Sequence, residues 1–211
     1  MTFARAIIRD AVAGVTFAEK PEDLAIIREP ECAAAIWRRQ PDHGFQSWLD
    51  TLAPDQLPNG RIVLRPEAVP DAITQLCEIA RTPHGTERAL LIEDVADLAH
   101  LFADLMQARY LRLRLQAVKT NACRKFHIDA ITARLICTYR GTGTQYGKSR
   151  NGNDPAQVFT APTGSPVLLR GTLWPQEPNC GLLHRSPPIE GKGETRLVLV
   201  LDPVFDLEDA T

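Results

Sequence analysis

The sequence predicts an α+β protein, with a helical N-terminal part (residues 1–110) packed on an antiparallel β-sandwich or barrel (residues 111–211), together one compact unit. Two observations predict it. The hydrophobic period changes from helical to alternating near residue 110, and Gly/Pro turns cut the second half into short apolar runs. A chain of 211 residues, 44% of them hydrophobic, is long enough to bury a core of ordinary size.

Taken in order, Glu31 to Arg39 (ECAAAIWRR) is alanine-rich, stops before Pro41, and predicts a helix. Phe45, Trp48, Leu49 and Leu52 recur at helical spacing. Asp71 to Arg81 reads as a short helix that follows Pro70 and closes before Pro83-His84-Gly85. The strongest pattern runs from Glu87 to Arg109. Leu91, Val95, Leu98, Phe102 and Leu105 form one stripe, and Glu93, Asp94, Asp97, His100 and Asp104 the opposite face. Leu111, Leu113 and Leu115 then alternate with Arg112 and Arg114, as in a half-buried strand. Ile131 to Tyr139, Val167 to Arg170, Gly181 to His184 and Thr195 to Leu201 read as further strands. Gly141-Thr142-Gly143 is a turn, and the polar stretch from Tyr146 to Pro155 is a loop, with Lys148 to Asn153 a connection or a lid.

Composition narrows the function. The balanced charge, −2 overall, carries no specific nucleic-acid signal. No run of 18 apolar residues exists to span a membrane. The first 20 residues lack the hydrophobic run of a secretory signal. Five cysteines form no disulfide framework and suggest reduced thiols and a cytoplasmic protein. Charge is unevenly placed: Met1 to Tyr110 holds 11 Lys+Arg against 17 Asp+Glu, and Leu111 to Leu201 holds 13 against 5. The basic half could hold a small anion or face the acidic half across an interface.

The residues that can carry chemistry begin at Phe126-His127-Ile128-Asp129. On a strand, His127 and Asp129 share a face about 7 Å apart, so an imidazole and a carboxylate converge. His184 ends a later apolar strand, 55 residues past Asp129. Two histidines and one carboxylate make a facial metal triad with open coordination positions, the ligand set of non-haem ferrous oxygenases. Cys123 and Cys180 precede the two histidines at one shared spacing, so a Cys2His2 zinc site is the rival, and either thiol could instead be buried or redox-sensitive. Cys32, Cys77 and Cys137 read as core. Trp174 reads as packing or as a wall of a substrate pocket.

The pieces FHID (126–129), ICTYRGTGTQY (136–146), GSPVLLRG (164–171) and LLHRSPPIEGKGETRLVLVLD (182–202) resemble the double-stranded β-helix (jelly-roll) core of the Fe(II)- and 2-oxoglutarate-dependent dioxygenase superfamily. The resemblance implies that His127, Asp129 and His184 bind iron. It also implies that Arg196, twelve positions past His184, grips the far carboxylate of 2-oxoglutarate, a role Arg134 or Arg170 could take instead. Tyr139 could donate to that carboxylate or pack in the core. Over nearly the whole chain, AIWRR (35–39), RLRLQAV (112–118), ACRKFHID (122–129), TYRGTGTQY and HRSPP also resemble an uncharacterised bacterial family with no established activity. The expected function is therefore oxygenation of an unknown small-molecule or protein substrate. The alternative is a non-catalytic zinc- or other metal-binding protein in metal homeostasis.

Overall fold

The computed structural model describes residues 12–149, 152–175 and 181–208. The expectation for the leader, Cys180, the middle of the polar loop and the last three residues lies outside them. Helices and strands form three layers. A seven-stranded sheet lies in the middle, with helices on one face and a three-stranded sheet on the other.

The large sheet runs in the order β1 (Val15–Ala18), β2 (Ala34–Trp37), β8 (Val167–Arg170), β5 (Ala133–Arg140), β10 (Arg196–Val204), β4 (Tyr110–Val118), β3 (Gly60–Leu64). The small sheet runs β7 (Phe159–Thr160), β6 (Gln145–Lys148), β9 (Leu182–Arg185). All pairings are antiparallel except β1 with β2. Three strands of the large sheet thus come from the first 110 residues, so the N-terminal part is not purely helical as expected.

The largest correction is Glu31 to Arg39. Its middle is strand β2, paired with β1 and β8, and not a helix. Alanine favours a helix only weakly, and tertiary pairing overrides that preference. Ala34 and Ile36 pack toward the small sheet while Ala35 packs toward the helices, so both faces of β2 are buried.

The other helices follow their patterns. The first, α1 (His43–Thr51), is capped by Asp42, whose carboxylate accepts from the Gly44 and Phe45 amides. The second, α2 (Val69–Ile79), carries Pro70 in its first turn, where a missing amide costs nothing. The long helix α3 (Thr86–Met106) stops at Gln107, which adopts the left-handed conformation at φ 53°. Its stripe of Leu91, Val95, Leu98 and Phe102 is fully buried against Leu111, Leu113, Leu115, Leu197, Leu199 and Leu201. Each such side chain contributes about 1.5–3 kcal/mol on leaving water. Among the described residues no helix is long and apolar enough to cross a membrane.

Candidate metal centre and cavity

The site lies between the two sheets, on the face of the large sheet away from α3. It is assembled by backbone pairing. His127 and His184 exchange amide-to-carbonyl hydrogen bonds, 3.0 Å each way, in an isolated antiparallel bridge. Ser186 extends the pairing by donating to the Cys123 carbonyl. The segment 126–129 is therefore a bridged loop along β9, not the regular strand expected. Asp129 is set beside the pair by a second contact, its carbonyl accepting from the Thr172 amide at 2.9 Å. Gly171 makes that approach possible, because a Cβ there would run into the carbonyl oxygens of Ile131 and Asp129.

The result is one cluster. Each of His127, Asp129 and His184 offers a ligand atom, and these atoms lie within 4.8 Å of one another. His184 Nε2 stands 3.0 Å from Asp129 Oδ2, and His127 Nε2 stands 3.5 Å from Asp129 Oδ1. The imidazole rings are 4.6 Å apart, centre to centre. His127 Nδ1 lies 2.8 Å from the Lys125 carbonyl oxygen. A carbonyl only accepts, so Nδ1 carries the proton and Nε2 keeps its lone pair.

Arg134 completes the surroundings. Its Nη1 donates to Asp129 Oδ1, and its Nε and Nη2 grip both oxygens of buried Asp202 at 2.6 and 2.8 Å. Asp129 Oδ2 is buried, and its nearest polar neighbour is His184 Nε2 at 3.0 Å. Burial opposes ionisation of Asp129, but the His184 ring and the charges of His184 and Arg134 outweigh it and hold the carboxyl down at about 2. Burial keeps His184 below its ordinary value and favours the neutral ring. A buried carboxylate oxygen converging with two imidazole nitrogens is a donor set that fits a divalent cation.

A cavity of about 120 Å³ adjoins the cluster. Its lining includes His127, His184, Cys123, Ile136, Val198 and Arg196. Arg196 is 2% exposed, and its Nε and Nη2 donate to the Thr142 carbonyl (2.6 Å) and the Thr138 hydroxyl (3.2 Å). Burial pulls this guanidinium down to about 10, with Glu194 opposing. No carboxylate among the described residues forms an ion pair with it.

The other expected carboxylate binders lie elsewhere or are engaged. Arg134 is taken by Asp129 and Asp202. Arg170 donates to the Ile27, Glu29 and Pro30 carbonyls and stacks on Trp174 outside the cavity. Tyr139 takes the core-packing alternative: its hydroxyl donates to Asp94 Oδ2 on α3, at 2.6 Å. The pleat puts Tyr139 with Leu135 and Cys137 toward the helices, whereas Arg134, Ile136 and Thr138 face the cavity. Trp174 packs with the helix-side core and does not line the cavity. Exposed Cys123 reaches the cavity lining but not the ligand cluster, while Cys32, Cys77 and Cys137 are buried as expected.

Asp202 and Arg114 border the site without having been singled out in the sequence. The one signal for Arg114 is its place in an alternating Leu/Arg strand within the basic half.

The comparisons follow from this geometry. A family described as protein of unknown function (DUF1826) matches residues 18–202. No curated protein matches in sequence. Among solved structures, a dioxygenase for auxin oxidation from Arabidopsis thaliana, in a 2-oxoglutarate complex, is similar in fold. Its TM-score is 0.54 at 10% identity, covering 92% of this chain and 93% of that one. A Pseudomonas putida prolyl-4-hydroxylase aligns less well, with TM-score 0.47 and 11% identity over 89% of this chain and all of that one (100%). The likeness to the first of these shows the fold alone.

Proposed function

The chain belongs to the DUF1826 family of proteins of unknown function, and we propose that it is an Fe(II)- and 2-oxoglutarate-dependent oxygenase. One observation carries this reading. A buried Asp129 oxygen and two histidine nitrogens converge beside a cavity that also holds a buried arginine, which has no ion pair among the described residues. A solved structure of similar fold was described in complex with 2-oxoglutarate, which supports the same reading.

His127, Asp129 and His184 would hold the ferrous ion. Bound by three protein ligands, the ion keeps positions open for oxygen and a 2-oxo acid, and it supplies oxidation coupled to decarboxylation of that acid. The chain does the rest. The Lys125 carbonyl fixes the His127 tautomer, so that the ring presents a lone pair. Arg134 restrains Asp129 through Oδ1 and leaves Oδ2 free. Arg196, steadied by Thr138 and Thr142, would hold the distal carboxylate of the co-substrate. Ile136, Val198 and Val200 supply apolar wall that limits water between these groups.

Anaerobic titration of the protein with Fe(II) and 2-oxoglutarate tests the reading. It should develop a visible metal-to-ligand charge-transfer band at one equivalent of each. Saturation with both and no band overturns it.

A further inference from the structure

The arginines of the cavity outnumber what the co-substrate uses. Arg114, Arg134, Arg185 and Arg196 line it, and among the described residues no acidic one does. The carboxylates bonded to this group are Asp129 and Asp202, and Glu194 adds a third negative charge beside Arg196. Four guanidiniums thus meet three carboxylates. A ferrous ion adds two positive charges and 2-oxoglutarate removes two, so a surplus of one remains in a small space. Such a surplus is costly until an anion enters.

The surplus has a place. Arg134 is fully engaged, and Arg196 stands at the far end of the cavity. Arg114 is paired with Val200 across β4 and β10, whereas Arg196 is paired with Val118. Four residues of strand separate the two positions, about 13 Å at Cα. One small dianion gripped at Arg196 leaves Arg114 to something else.

Arg114 Nη2 touches Asp202 Oδ2 at 3.2 Å, an oxygen that Arg134 already holds more closely at 2.8 Å. Its Nε is buried and makes no hydrogen bond. Through Asp202 and Arg134, Arg114 lies on the same chain of contacts as Asp129, at the metal end where the reacting carbon must sit. Arg185, whose guanidinium lies 4.3 Å over Phe126 and whose Nε donates to Gln145, adds a second positive wall.

Resting on the oxygenase reading, we propose that the primary substrate is a small molecule bearing an oxyanion, a carboxylate or phosphate, held by Arg114 with Arg185 at its side. A guanidinium edge matches either group in a two-point hydrogen bond. Gln116, Thr144 and Ser186, also in the lining, are neutral and fit hydroxyl or carbonyl groups on the same molecule.

The test uses the full chain loaded with Mn(II) and saturating 2-oxoglutarate. Paramagnetic relaxation of [13C]acetate and of inorganic phosphate reports anions near the metal, with acetamide as the neutral partner of acetate. At least one anion should relax strongly and acetamide should not. Arg114→Gln should weaken the effect about tenfold or more, with the 2-oxoglutarate midpoint within about twofold. If Arg114→Gln does not fold, Arg114→Lys keeps the charge facing Asp202 but not the two-point edge, and should still weaken the anion several-fold. Equal relaxation by acetamide, equal anion binding in the Arg114 variant, or relaxation that vanishes as 2-oxoglutarate saturates would each overturn the proposal. Failure of 2-oxoglutarate itself to bind the wild-type chain overturns the oxygenase reading as well, which separates the two failures.

Discussion

The two faces of the large sheet are made by the same strands and do opposite work. On β5, Leu135, Cys137 and Tyr139 point to the helices, and Arg134, Ile136 and Thr138 point to the cavity. The helix-side face is mostly leucine, sealed by α3. A polar knot there satisfies itself: Arg39 holds both oxygens of Asp94, and Tyr139 donates to Asp94 as well. The cavity face is less closed: Arg196 bonds only to the neutral groups of Thr138 and Thr142, and Arg114 Nε is buried without a hydrogen bond. The Asp94 knot is closed by charge against charge, whereas the cavity face leaves a guanidinium opposite neutral groups.

If that contrast is right, substitutions on the two faces should fail in different assays. The largest effect is expected for His127→Ala, which should remove tight metal binding while the unfolding temperature of the metal-free protein stays nearly constant. Metal content by elemental analysis, alongside a melting curve, checks both halves. Leu199→Ala on the opposite face should lower stability by about 2–5 kcal/mol and leave one metal bound per chain, read by denaturant unfolding and the same metal assay. Arg134→Gln lies between the two. It contacts a ligand and not the metal, so metal affinity should drop roughly 10–100-fold, measured by competition with a chromophoric chelator. Tyr139→Phe should cost the least. One hydrogen bond to a charged group is lost, about 1.5–3 kcal/mol of stability, and the 2-oxoglutarate midpoint should not move. A shifted midpoint would return Tyr139 to the cavity and erase the contrast.

The legibility of the fold followed the range of the forces involved. Helices α1, α2 and α3 and strands β4, β5 and β10 were readable because each carries its own periodicity. Strand β2 was not, because AAIW is a strand only through partners such as Leu168 and Leu169, more than a hundred residues away. The same limit applied at the site. His127, Asp129 and His184 could be picked out by residue type and order. The partners that prepare them could not, since nothing local in Arg134 or Asp202 announces that the two meet across β5 and β10. Of the two readings of Tyr139, the strand's parity decides for the core, since Leu135 and Cys137 share its face.

The central claim is that three side chains from two distant segments hold one ion beside a pocket for a dicarboxylate. A crystal structure of the protein soaked with Mn(II) and 2-oxoglutarate tests it most directly. The account predicts anomalous density bonded to His127 Nε2, Asp129 and His184, with the distal carboxylate of the co-substrate on Arg196. Manganese bound elsewhere, or 2-oxoglutarate held away from Arg196, would contradict it.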